Sequence, residues 1–143
     1  MVYFEDTGSV IEAPIEFIWE YLTSEHHGPA HAATGRNFKL REIIGATALV
    51  SAERLLDGRW SPFLTKSTDL PPLGIQNEEV EGEFAGTKFV LIYKPDGTRT
   101  RVDVYGDLRS NVYPLEVARE KYLRLLAGAY AEDVAAIRAL KAK

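Results

Sequence analysis

The three histidines of the chain, His26, His27 and His31, fall within six positions, with Glu25 beside them. Imidazole nitrogens are ligands for Zn²⁺ and other borderline metals, and His27 and His31, four residues apart, share one side wherever helix persists. Gly28-Pro29 between them opposes that persistence, because proline removes a backbone donor. His26, His27 and His31 are therefore only a weak candidate metal cluster. Three solvated histidines on a helix-turn-helix are the plainer alternative, and no metal or other cofactor is expected.

Two charges interrupt an otherwise apolar periodicity near the C-terminus. Asp133 lies three residues after Tyr130 and Arg119 three residues before Tyr122, both on the stripe that a helix would bury. A charge there is costly unless paired, so each marks either a polar spot in a cavity wall or a helix end that outruns its support into water. No cysteine is present, which excludes thiolate nucleophiles, disulfides and cysteine metal sites. Nucleotide-cradling glycine loops, a G-x-S-x-G elbow and an H-E-x-x-H helix are also absent.

The elements that must position these residues are legible from periodicity. Val2 to Glu12 reads as an irregular strand with Gly8 as a bulge, and Pro14 opens a helix whose Ile15, Ile18, Trp19 and Leu22 recur at helical spacing. Ser24 caps a second short helical stretch that Gly35 ends. Strands follow over Phe38–Ile44, Thr47–Leu56, Arg59–Thr68, Ile75–Glu83, Thr87–Lys94 and Thr98–Leu108. Asp57-Gly58 predicts a two-residue hairpin turn, and Leu70-Pro71-Pro72-Leu73-Gly74 an extended surface loop, since consecutive prolines donate nothing to a ladder.

From Pro114 to Ala142 the period is 3.6: Leu115, Ala118, Tyr122, Leu126, Ala129, Tyr130, Ala136, Ile137 and Leu140 share a face. The fold class is α+β. A curved, six- or seven-stranded antiparallel sheet wraps around one long C-terminal helix, with two short helices after the first strand, in one domain spanning 1–143. On the strand 98–108, Thr100, Val102, Val104 and Gly106 read as the inner face, although the mixed neighbouring strand leaves Arg101 and Tyr105 as inward alternatives.

The chain has 143 residues with a formal charge of −4, seven Tyr, six Phe and two Trp, enough apolar and aromatic side chains to rule out disorder. That charge supplies no field for a polyphosphate backbone, so nucleic acid is not expected as a partner. No apolar run approaches the ~18 residues that cross a bilayer, and the first residues lack a leader pattern. Stable membrane insertion is not expected, and a cytoplasmic location is. The oligomeric state leaves no mark in the sequence.

The stretch Val10-Ile11-Glu12-Ala13-Pro14-Ile15-Glu16-Phe17-Ile18-Trp19-Glu20-Tyr21-Leu22 resembles the opening of the START/polyketide-cyclase/birch-pollen-allergen superfamily, SRPBCC, whose pattern runs I-x-A-P-x-E-x-V-W-x-x-L. The element order, a helix-grip order, resembles that superfamily over essentially the whole chain. The resemblance implies a cavity between sheet and C-terminal helix, entered near the short helices and rim loops. It places His27 and His31 at the cavity mouth as candidate acid/base groups. Trp60, Phe63, Arg101, Tyr105, Arg119, Tyr122, Leu126 and Tyr130 are candidate ligand-binding residues.

The implied function is binding of a small hydrophobic or amphipathic molecule, of lipid, isoprenoid or aromatic polyketide type. One alternative is a cyclase/dehydratase-type enzyme working through cavity acid/base groups. Another is a chaperone-associated interaction domain resembling the activator of the Hsp90 ATPase. An acid/base constellation inside the cavity would favour the enzyme, and a filled core with an exposed apolar patch would favour the partner domain.

Overall fold

β1 (Tyr3–Ile11) opens the chain in the computed structural model, which describes residues 1–143. It bulges at Gly8, where φ is +86° and the pairing register shifts between Asp6 and Ser9. Pro14 ends the strand and leads into α1 (Ile15–Leu22), which buries Ile15, Ile18 and Tyr21. α2 (His27–Ala30) follows at once. Pro29 does not break it, contrary to the expectation from sequence. It is the third residue of the helix, inside the first turn, where backbone N–H groups have no intrahelical acceptor to lose.

Six strands in hairpin succession come next: β2 (Gly35–Ile44), β3 (Thr47–Leu56), β4 (Arg59–Leu70), β5 (Gly74–Glu81), β6 (Lys88–Asp96) and β7 (Arg99–Asp107). All pairings are antiparallel, in the order β1-β7-β6-β5-β4-β3-β2. The first two strands thus form opposite edges, and α1 and α2 carry the chain between them. Asp57 and Gly58 both have positive φ, +51° and +77°, as a twist-matched two-residue turn demands. The Pro71-Pro72 segment is tighter than the extended loop expected, because the Leu73 N–H reaches back to the Leu70 carbonyl at 2.7 Å.

α3 (Leu115–Lys141) crosses the concave face. At 27 residues it is about 40 Å long, and two separate apolar clusters anchor it. Near its start, Ala118 and Tyr122 pack with Phe4, Leu56, Phe84, Phe89, Val104 and Leu108. Near its end, Ile137 packs with Ile11, Ala13, Ile15, Ile18, Tyr21, Tyr93 and Val102. Leu115 departs from the expected stripe: it is the first residue of the helix and is 41% exposed. No helix is long and apolar enough to cross a membrane.

The arrangement is the helix-grip fold. Between these two anchors the middle of the helix, Leu125 to Ala129, borders open space.

Candidate functional site

Under that middle segment lies a cavity of about 540 Å³, adjoined by a second lobe of about 270 Å³. His27, His31, Asn77, Phe89, Leu126 and Ala129 wall both. At the exposed rim of the larger lobe stand Phe38 of β2 and Lys121 and Arg124 of α3, and Lys121 pairs with Asp57 of the β3–β4 turn. The smaller lobe is largely apolar, with Ile11, Ile18, Leu91, Val102 and Val104 in its walls.

Two polar centres break the apolar lining. The first is on the sheet. β3 turns Arg54 inward, β5 turns Glu79 inward, and Arg54 Nη2 reaches Glu79 Oε1 and Oε2 at 3.1 and 2.8 Å. Tyr122 donates to Glu79 Oε2 at 2.9 Å, and the Arg54 guanidinium lies 3.7 Å above the Phe63 ring. Burial and the neighbouring Glu79 charge push the Tyr122 hydroxyl far up, so it remains a donor.

The second centre joins α2 to α3. His31, at the C-cap of α2, sits between two carboxylates: Nδ1 is 3.1 Å from Glu132 Oε1 and Nε2 is 2.9 Å from Asp133 Oδ1. Thr34 donates to the same Glu132 oxygen at 2.8 Å, and Tyr21 donates to Asp133 Oδ1 at 2.6 Å. His27 Nε2 lies 3.5 Å from that oxygen, with its ring centroid 5.1 Å from that of His31. The hydrogen bond to Asp133, opposed by burial and aided by Glu132, raises His31 to about 9. Burial lowers His27 despite Asp133. At neutral pH one ring is therefore an imidazolium and its neighbour a neutral imidazole.

Of the residues singled out from sequence, His27, His31, Phe63, Tyr122, Leu126 and Tyr130 are brought to the cavity walls. Tyr122 and Tyr130 need no ligand to satisfy their hydroxyls, since Tyr122 donates to Glu79 and Tyr130 to the Val10 carbonyl at 2.9 Å. Four are elsewhere. Trp60 is three residues from Phe63 on an unbroken strand of period two, so the pair cannot share a face; Trp60 stacks instead under Arg36, 4.3 Å from its guanidinium carbon.

Arg101 and Tyr105 point outward, while Val102 and Val104 of the same strand line the cavity. Arg101 pairs there with Asp103 at 3.2 Å. Arg119 runs along the flank of α3 to Glu116 at 3.3 Å. His26 is exposed and outside the cluster.

Sequence reasoning missed Arg54, Asn77, Glu79, Tyr21 and Glu132. Strict alternation along β5 would have placed Ile75, Asn77 and Glu79 together on one face, but that face is no more apolar than Gln76, Glu78 and Val80. Asp133 was visible as a charge on an apolar stripe, without its partners.

No protein-family model matches this chain, and no curated protein does. Solved structures do. A START superfamily protein from Mycobacterium smegmatis superposes with TM-score 0.80 at 13% identity, covering 96% of this chain and 98% of that one. Ara h 8.0201 gives 0.78 at 11%, covering 96% and 97%. The Zhui aromatase/cyclase from Streptomyces sp. R1128 gives 0.69 at 15%, covering 94% and 90%. At these identities the likeness is one of fold: the chain has the SRPBCC-type helix-grip fold.

Proposed function

We propose that the protein takes up one small, largely apolar molecule carrying a neutral polar group, of lipid, isoprenoid or aromatic polyketide type, between the sheet and α3. The observation that carries this reading is the cavity itself. Its larger lobe, about 540 Å³, lies in the range of small-molecule sites, about 300–1,000 Å³, and it joins polar groups of the two centres to apolar side chains such as Phe63, Phe89 and Leu126, while the smaller lobe is mainly apolar. Side chains leave this space open although apolar clusters anchor the helix above it at both ends, which supports a ligand rather than a partner surface as what the cavity serves.

Side-by-side His27 and His31 in the cavity wall support a second reading, proton-transfer catalysis of the cyclase/dehydratase kind. Its signature is a His27→Ala or His31→Ala variant that keeps ligand affinity and loses about 10²–10⁴-fold in turnover.

The first reading is tested with an environment-sensitive apolar dye and by native mass spectrometry of protein purified from its own cells. Saturable uptake of one dye molecule, weakened by Leu126→Trp or Ala129→Trp and unchanged by Arg138→Ala on the outer side of α3, is expected. Equal binding by all variants would place the dye on the surface and overturn the reading.

A further inference from the structure

We propose that His27, His31 and Asp133 form a site for one divalent first-row cation of the zinc type, held by two imidazole nitrogens and one carboxylate oxygen and open toward the cavity. The three ligand atoms all lie within 4.8 Å of one another. Asp133 Oδ1 is 2.9 Å from His31 Nε2 and 3.5 Å from His27 Nε2. An ion with bonds of about 2.1 Å holds its ligands about 3.0–3.4 Å apart, so the two separations from Asp133 are each within about 0.1 Å of that range, and the two imidazole nitrogens, no more than 4.8 Å apart, are within reach of the same ion.

The surroundings of His31 support the same assignment. Its two ring nitrogens each face a carboxylate, and a neutral imidazole has one N–H to offer. Something positive therefore stands between Nε2 and Asp133: a proton in the metal-free protein, which a metal ion displaces to solvent when it takes that place. Glu132, held by Thr34, takes the Nδ1 side, the place of the outer acceptor, a carboxylate, carbonyl or water, that orients a metal-bound imidazole and raises its basicity. The His31 N–H donates to the Gly28 carbonyl at 3.1 Å and its carbonyl accepts from the Thr34 and Gly35 N–H groups at 3.2 and 2.8 Å, so the backbone carrying this ligand is fixed on both sides.

The donors come from two elements that the fold brings together, α2 and α3. Two imidazoles and a carboxylate leave at least one coordination position vacant, and both histidines wall the cavity. A ligand atom entering the cavity can occupy that position. Nitrogen-rich ligation of this kind favours Zn²⁺, Fe²⁺ or Co²⁺ over Mg²⁺ and Ca²⁺.

The test uses the full chain, freed of metal with a chelator and titrated with Zn²⁺ by calorimetry and with Co²⁺ by visible absorption. One ion per chain is expected, with Co²⁺ giving the intense d–d bands of a four- or five-coordinate site. His31→Ala, His27→Ala and Asp133→Asn should each weaken binding about 100-fold or more, and Glu132→Gln about 10–100-fold. His26→Ala should leave it unchanged.

Absence of saturable Zn²⁺ binding by the parent protein overturns the proposal whatever the variants do. So does binding that survives in Asp133→Asn and His31→Ala, or that is lost in His26→Ala. Circular dichroism of each variant separates a lost site from a lost fold, and the Co²⁺ spectrum of the parent decides the ligation independently of both. No organic ligand enters the measurement, so failed dye uptake would leave this result standing.

Discussion

Tyr122 of α3 and Glu79 of β5 are joined by a 2.9 Å hydrogen bond at the floor of the cavity, the tyrosine donating and the carboxylate, 3% exposed, accepting. Arg54 completes the centre from β3. The helix is thus tied to the sheet by a polar contact at the point where apolar packing gives way to open space. A buried ion pair adds little net stability, but removing one partner strands the other.

Two substitutions should therefore differ in size. Tyr122→Phe removes one hydrogen bond to a carboxylate that keeps Arg54, and is expected to cost about 1.5–3 kcal/mol. Glu79→Ala leaves Arg54 uncompensated beside the Phe63 ring, and about 3–5 kcal/mol is expected. Urea unfolding of both variants checks the order, and a Tyr122→Phe cost equal to or above that of Glu79→Ala would contradict it.

The same deletion at two leucines measures how empty the cavity is. Leu108 is fully buried in the cluster under the start of α3, so Leu108→Ala should cost about 2–5 kcal/mol. Leu126 already borders open space in both lobes, so truncating it creates little new cavity. Leu126→Ala should cost less than about 2 kcal/mol. Equal losses would show that Leu126 packs as core.

Strong local signals made much of the fold legible in the sequence. Asp57-Gly58 and the Gly8 bulge are positions where the backbone itself requires particular residues, and the 3.6 period of α3 survives along most of its length. The polar centres were hidden for a different reason. Glu79 sits on a strand whose two faces mix polar and apolar residues alike, so alternation has no contrast there. Asp133 meets Tyr21 across 112 positions of sequence, a distance that no periodicity spans. Trp60 shows the reverse error: an aromatic type suggested lining, while strand parity had already turned it outward.

Stability in acid should depend on Asp103. The N–H of Gly8, followed by Arg101 and Lys94, holds its carboxyl below the usual carboxylate range. A group whose pKa is depressed on folding stabilises the protein above its unfolded value, about 3.9, and that contribution disappears as pH falls through the folded value. Asp103→Asn should flatten the loss of thermal stability below about pH 4 while lowering stability at neutral pH. An acid limb identical to that of the parent would remove Asp103 from it.

The kind of polar group the cavity accepts follows from how its charges are already used. Arg54 is paired with Glu79, His31 with Asp133 and Glu132, and at the rim Lys121 with Asp57 and Arg124 with Glu120. No cation is left over to receive a carboxylate, and desolvating an ionised carboxylate without a partner is far costlier than desolvating a hydroxyl or carbonyl. In chelator-treated protein, a long-chain alcohol or ketone should therefore displace an apolar dye at least about 10-fold more effectively than the acid of equal length, a gap of about 1.4 kcal/mol. Zn²⁺ reverses the argument, because a metal at His27, His31 and Asp133 offers the carboxylate a vacant coordination position. Competition titrations with and without Zn²⁺ test both halves at once. The acid should gain on the alcohol only when the ion is present and only while Asp133 is intact; an acid that outcompetes the alcohol in metal-free protein would mean that one of these charge pairs opens to receive it.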